Sequence, residues 1–194
     1  DSDQAFHSLM AMIGVSRAIQ REPMLISQLI RIATGGMALR QLKVAIELDI
    51  LNEAQLLAIL DELKAFDDVG AMFRLAIAGE RAASQPIFDD LQRFGDGVGP
   101  LASGFNQRPI DALASLNVFA EADSIPTDNL TEFLAGVIAL DEQFLNQLTQ
   151  AGWLRKLETA LTMMTVPSLA AAGKAFVRSA MEFRIAKTAI GLRL

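Results

Sequence analysis

Apolar residues recur every three or four positions along nearly the whole 194-residue chain, and the alternating pattern of strands hardly occurs. A spacing of three and four places side chains on one face of an α-helix, whereas a half-buried strand needs a period of two. The pattern therefore predicts an all-α fold, an irregular multi-helix bundle of about eight or nine helices. Because 52% of the residues are hydrophobic, the chain can bury a substantial core.

Local signals divide this chain into helices. Asn52, with Gln55 three residues later, has the form of a capping box and predicts a helix start at Asn52. The segment 95–104 contains four glycines and a proline, which predict one long loop. We expect a single all-helical domain over 1–194, or two subdomains, 1–94 and 107–194, joined by this Gly-rich loop.

The second helix is expected to start near Pro23 and to kink or break at Gly35-Gly36. Its apolar stripe is predicted to face the core, and the opposite polar face is predicted to be solvated, or alternatively to bind an anion together with the kink. The stripe comprises Leu25, Ile26, Leu29, Ile30, Ala33, Met37, Leu42 and Ile46, and the polar face comprises Ser27, Gln28, Arg31 and Thr34.

Further expectations concern the middle and the end of the chain. The helices over 52–66 and 69–77 should pair as an antiparallel hairpin, and a separate short helix should span 84–94. The sequence Ala170-Ala-Ala-Gly173 is typical of close helix packing. A shorter helix is expected around residues 153–161, before the last helix.

Composition excludes several kinds of chemistry. The formal net charge of −6 has the wrong sign for a protein that binds a phosphate backbone, so nucleic acid is not an expected partner. Cysteine is absent, which removes disulfides, zinc-thiolate sites, thiol nucleophiles and iron–sulfur clusters. The only histidine is His7, so no two-His metal site can form within one chain. These facts disfavour an enzyme, and no cofactor is expected.

Charge is also unevenly distributed along the chain. Residues 111–142 contain seven acidic residues and no base, whereas the last helix, from Pro167, carries five bases and one acid. Because opposite fields attract, the basic helix is predicted to pack beside the acidic segment.

Four residues are candidates for a polar site. Asp141 lies on an apolar stripe, and burial of a lone carboxylate requires a partner. The partner expected is an arginine of another helix, unless Asp141 lies at the exposed edge of the stripe or acts as an acid, base or cation ligand in a cleft. Arg31 and Ser27 belong to the polar face of the second helix, and His7 is expected at an ordinary surface or interhelical position.

Four segments carry a family resemblance: Arg21–Ala33, Leu51–Leu56, Ile77–Ala82 and Ala186–Leu194. Together they resemble a family of uncharacterised planctomycete-type bacterial envelope proteins. The resemblance implies an N-terminal membrane segment ahead of the helical region and a pilin-like tail after it. It therefore implies a periplasmic or membrane-anchored location, and it assigns no catalytic residue.

Two functions are compatible with these patterns. The first is a non-catalytic helical scaffold or protein-interaction domain of a membrane-tethered envelope protein, with a protein partner or self-association. The alternative is a carrier of an apolar small molecule, whose cavity the Gly35-Gly36 kink and the Met-rich helices would line. No stretch of the chain is long and apolar enough to predict a transmembrane helix, so any anchor would lie upstream.

Overall fold

The computed structural model of this protein describes residues 2–89, 108–150, 162, 166 and 168–194. Within these residues the chain forms seven α-helices and a 3₁₀ turn, with no strand, so the predicted all-α multi-helix bundle is confirmed. The helices are α1 (Ser2–Ala18), α2 (Leu25–Glu47), α3 (Glu53–Leu63), α4 (Val69–Asp89), α5 (Arg108–Ser124), α6 (Leu130–Gln150) and α7 (Leu169–Gly191), and the 3₁₀ turn (Lys64–Phe66) follows α3.

The described part of the chain contains seven helices, whereas eight or nine were predicted for the whole chain. A kink or a break was predicted at Gly35-Gly36; the break is wrong, since α2 is continuous there. The ring of Phe183 packs so tightly on Gly35 that an added Cβ would lie 2.8 Å from Phe183 Cζ. The separate helix over 84–94 is also wrong, because α4 continues through Pro86. The predicted loop 95–104 and helix 153–161 lie outside the described residues.

In the described part of the chain, two hydrophobic clusters form the core, and each combines residues from before and after the Gly-rich segment. The first joins the start of α2 and the start of α7 to α4, α5 and α6. The second joins the later parts of α2 and α7 to α1, α3 and the 3₁₀ turn. The long helices α2 and α7 therefore run through both clusters and pack against each other.

Helix pairing differs from the predicted hairpin of α3 and α4. Helix α3 packs on α1 and α7, whereas α4 packs on α5 and α2. The 3₁₀ turn separates α3 from α4 and ends with Phe66, which is buried in the second cluster, while Val69 opens α4 in the first. Because the two helices contribute to different clusters, they diverge instead of pairing, and the hairpin prediction is wrong.

The last helix packs beside the acidic segment, as its charge predicted, since α7 contacts α6. This contact is apolar and close: a Cβ added at buried Gly173 would lie 2.9 Å from Val137 Cγ1. Among the described residues, three of the five bases pair elsewhere: Arg178 with Glu182, Lys187 with Asp67 and Arg193 with Asp49. Side-chain packing, rather than ion pairing, holds α7 on α6.

Helix starts are capped in two ways. At α3 the predicted capping box is present: Asn52 Oδ1 accepts a hydrogen bond from Gln55 N at 2.9 Å, and Gln55 Oε1 accepts one from Asn52 N at 3.1 Å. At α2 the cap comes from another helix, because Glu80 Oε1 of α4 accepts a hydrogen bond of 2.8 Å from Leu25 N. A carboxylate there also interacts favourably with the helix dipole.

Gly79 makes the approach of Glu80 to α2 feasible. A Cβ at Gly79 would lie 1.1 Å from the backbone oxygen of Pro23, so no other residue fits without separating α4 from the chain that leads into α2. Gly14, on exposed α1 backbone, has no atom within 4 Å of an added Cβ.

These two glycines give a matched prediction. Gly79→Ala should lower the free energy of unfolding by about 3 kcal/mol or more, because the backbone must shift and the Glu80 cap is lost. Gly14→Ala should raise it by about 0.5 to 1 kcal/mol, because alanine loses less backbone entropy than glycine in a helix. Urea denaturation followed by circular dichroism measures both. Equal effects of the two substitutions would contradict the close approach at Gly79.

Candidate functional site

The four candidate polar residues do not converge on one site. Arg31 and Ser27 lie on α2, His7 on α1 and Asp141 on α6. His7 is exposed, with its ring tilted against Phe6 at a centroid distance of 5.6 Å, and Ser27 is half-buried. Asp141 accepts a hydrogen bond from Leu169 at the start of α7. Arg31 lies over the Phe66 ring, which stacks on Phe183 further along α7. Leu169 and Phe183 are roughly 21 Å apart along that helix.

Arg31 is fully buried, with 0% of its surface exposed. Its Nη2 donates a hydrogen bond of 2.7 Å to the backbone oxygen of Ala65, and its guanidinium carbon lies 4.8 Å from the centroid of the Phe66 ring. Its Nε and Nη1 have no hydrogen-bond partner among the described residues. The solvated polar face predicted for α2 is therefore wrong at this position.

Two stacked aromatic rings connect Arg31 of α2 to α7. Phe66 stacks on Phe183 with a centroid distance of 4.1 Å and an interplanar angle of 10°. Phe183 in turn covers Gly35, one turn after Arg31 on α2. The guanidinium, the two rings and the glycine therefore link α2, the 3₁₀ turn and α7, and they fill the space on the inner side of Gly35, whereas Gly36 lines an open groove between α2 and α7.

Burial determines the acid–base state of Arg31. Desolvation lowers the pKa of its guanidinium to about 10, because removal from water disfavours the charged form. At pH 7 the group still carries its proton, so the protein holds a buried cation. Its electrostatic support comes from the Ala65 carbonyl and the face of the Phe66 ring.

Gln28 is also buried on the inner face of α2, and its role is structural. Its Nε2 donates hydrogen bonds to the backbone oxygens of Glu22 at 2.7 Å and Gln20 at 3.2 Å. These carbonyls follow the end of α1, where no further helical turn supplies donors. Ser16 of α1 adds a hydrogen bond of 2.8 Å from its Oγ to the Arg31 oxygen. Gln28 and Arg31 are buried because carbonyls near two helix ends need donors.

Asp141 has a partner of a kind that the sequence did not predict. Its Oδ1 accepts a hydrogen bond of 3.1 Å from Leu169 N, the first amide of α7. Ser168 caps the same helix, with its Oγ accepting from Ala171 N at 3.4 Å. A half-buried carboxylate at a helix N-terminus is stabilised by the amide and by the dipole. Asp141 therefore acts as a cap supplied by α6, in the same way as Glu80 caps α2.

The outer face of α2 carries an exposed apolar line, which we name the α2 stripe. Its members were predicted to lie in the core or were not assigned, but they point to solvent while Gln28 and Arg31 are buried. The exposed fractions are 61% for Ile26, 50% for Ile30, 46% for Met37, 46% for Val44 and 64% for Leu48. Apolar residues on both sides of one helix are typical of a helix with a neighbour on each side.

An open groove of about 530 Å³ lies next to the α2 stripe, between α2 and α7. Its floor is apolar, with Leu39, Ile46 and Ala186 among the lining residues, and Ile185 at its edge is 67% exposed. Three cations lie at its rim, Arg40, Lys43 and Arg178, of which Lys43 pairs with Glu47 and Arg178 with Glu182. The stripe and the groove together form an extended apolar surface along α2 and α7.

Other observations restrict the chemistry of the described residues. No group of three or more His, Asp or Glu side chains there is placed to hold a metal ion. No helix in the same part of the chain is long and apolar enough to cross a membrane. Comparison of the chain with protein-family models, with curated proteins and with solved structures found no match. The α2 stripe and the groove are therefore the features of the described residues that bear on function.

Arg31 yields a prediction about the cost of its burial. Arg31→Met keeps an unbranched chain of similar length but leaves the Ala65 oxygen without its donor, at a cost of about 1 to 3 kcal/mol. It also removes the penalty of burying a cation, which is of similar size, so the free energy of unfolding should stay within about 1 kcal/mol of the wild-type value. Arg31→Ala should lower it by about 3 kcal/mol, because it leaves a cavity and exposes the Phe66 face. Urea denaturation at pH 7 measures both. A loss of several kcal/mol with methionine would show that Nε and Nη1 have strong partners in solution.

Asp141 yields a prediction about capping. Asp141→Ala should lower the free energy of unfolding by about 1 to 2 kcal/mol, since the first amide of α7 loses its acceptor. Asp141→Asn keeps an acceptor oxygen and loses only the charge, so it should cost about 0.5 kcal/mol. Thermal denaturation compares the two. Equal losses would contradict the hydrogen bond to Leu169 as the main contribution of this side chain.

Proposed function

We propose that this protein is a non-catalytic helical module for protein interaction, and that the α2 stripe is its docking surface for an amphipathic helix. The observation that carries the proposal is the burial pattern of α2: polar Gln28 and Arg31 are buried, while apolar Ile26 and Ile30 face solvent. A contiguous exposed apolar patch on a folded domain is typical of an interaction site.

The spacing of the stripe fits a helix as the docked element. Consecutive members of the outer face, with Ala33 and Gln41 included, are three or four residues apart from Ile26 to Leu48. This is the seam of a helix that packs along another helix, with each side chain entering a gap on the partner. The partner's chemistry follows: an α-helix whose own apolar residues recur at three and four.

The proposed setting is a scaffold in the bacterial envelope, tethered by an upstream membrane segment. The support for this setting is the sequence resemblance carried by the four segments from Arg21–Ala33 to Ala186–Leu194. An interaction module on a tether would present the α2 stripe to partners held at the same membrane, where effective concentrations are high.

A second candidate is a carrier of an apolar small molecule, and the groove between α2 and α7 favours it. Its volume of about 530 Å³ lies in the range of small-molecule sites, about 300 to 1,000 Å³. Arg40 and Arg178 at the rim fit an anionic head group above a hydrocarbon chain. This candidate accounts for the groove and leaves the α2 stripe unexplained, so the interaction module is the better proposal.

Binding of a helical peptide tests the proposal. The probe is a labelled synthetic amphipathic helix of about 21 residues, with leucine at intervals of three and four and Glu or Lys elsewhere. Fluorescence anisotropy should show saturable binding, and Ile30→Glu should weaken it at least about 10-fold, because a carboxylate is desolvated in the seam.

Leu113→Glu on α5 is the matched control, because Leu113 is 58% exposed and lies away from α2. It should bind the peptide like the wild type, and both variants should keep the wild-type melting temperature. Equal binding by all three proteins, or no binding by any of them at a concentration where the protein is monomeric, would contradict the interaction module. A lipid-like mass in the native mass spectrum, together with absent peptide binding, would favour the carrier.

A further inference from the structure

The α2 stripe is symmetric about its central residue. Relative to Met37, the exposed apolar residues lie 11 and 7 positions before it, at Ile26 and Ile30, and 7 and 11 positions after it, at Val44 and Leu48. Seven and eleven residues are close to two and three helical turns, so the five side chains lie on one narrow line. Ala33 and Gln41, four positions on either side of Met37, complete the same line.

We propose that the helix docked on the α2 stripe is α2 of a second copy of this chain, antiparallel about a two-fold axis at Met37. A two-fold interface needs a surface that is complementary to itself, with residue i of one copy against residue j of the other and the reverse. With the axis at Met37, Ile30 falls opposite Val44 and Ile26 opposite Leu48. This inference rests on the proposed function and names its partner.

The polar residues of α2 are compatible with this register. Gln41 falls opposite small Ala33, which leaves room for its longer side chain. The charged residues beside the stripe, Arg40 and Glu47, fall opposite positions 34 and 27, which are threonine and serine. Lys43 corresponds to Arg31 in this register, but Arg31 is buried on the inner face of α2, so no like charges meet at the contact.

The surface available is close to what a stable dimer requires. The 23 residues of α2 make a helix about 34 Å long, so a strip about 10 Å wide covers roughly 350 Å² on each copy. The adjoining face of α7 exposes Met181 and Ile185, and these two side chains add roughly 200 Å². The total of roughly 550 Å² on each copy makes about 1,100 Å² for the dimer, just above the roughly 1,000 Å² that a specific interface needs.

Cross-linking tests the contact at the axis. Because the chain has no cysteine, Met37→Cys introduces a single thiol. In the proposed dimer the two thiols meet across the axis, and mild oxidation should convert most of the protein into a covalent dimer. Leu113→Cys is the matched control and should remain monomeric on denaturing gels. Equal, slow cross-linking of both variants would overturn the contact.

Charge substitution tests the antiparallel register. Ile30→Glu and Val44→Lys should each raise the dimer dissociation constant at least about 100-fold in sedimentation equilibrium. The double variant should recover most of the lost affinity, because each introduced carboxylate then faces an introduced ammonium of the other copy. A parallel dimer would bring like charges together in the double variant, so failure of the rescue overturns the antiparallel register.

Two outcomes separate this inference from the proposed function. A wild-type protein that stays monomeric at high micromolar concentration, but binds the amphipathic peptide through Ile30, would overturn the dimer and leave the interaction module standing. A protein that neither associates nor binds the peptide would overturn both.

Discussion

The structure depends on satisfying the backbone groups at helix ends that the packing removes from water. Glu80 and Asp141 accept hydrogen bonds from the first amides of α2 and α7. Gln28 and Arg31 donate to carbonyls that follow α1 and α3. Each of these groups would cost about 1 to 3 kcal/mol if it were buried without a partner. Long polar side chains reaching between helices therefore decide how the helices are placed.

This requirement explains why α2 buries polar residues and exposes apolar ones. The face of α2 that packs on α1 and the 3₁₀ turn must carry donors, so Gln28 and Arg31 occupy it. The aliphatic residues Ile26 and Ile30 then necessarily point outward, where they have no structural role within the described residues. The same constraint that stabilises the fold thus makes the α2 stripe available for another helix.

Local signals predicted the fold class and several details correctly. The capping box at Asn52 depends only on neighbours in sequence, as does the apolar periodicity that predicts helices. The inner face of α2, the continuity at Gly35 and the partner of Asp141 depend on residues far away in sequence. Apolar residues on both faces of α2 made the periodicity ambiguous. The predicted stripe was right at Leu25 and Leu42, which are buried, and wrong at Ile26, Ile30 and Met37, which are exposed. No local pattern marked Glu80 as a cap.

The passage of α2 and α7 through both hydrophobic clusters has a consequence for cooperativity. Neither cluster is a separate folding unit, because each one contains half of the same two helices. Fraying of either cluster removes the support of a helix that the other needs, so local opening is energetically coupled to global unfolding. Slow amide exchange should therefore extend along both helices from one cluster into the other, because the two clusters share the same two helices.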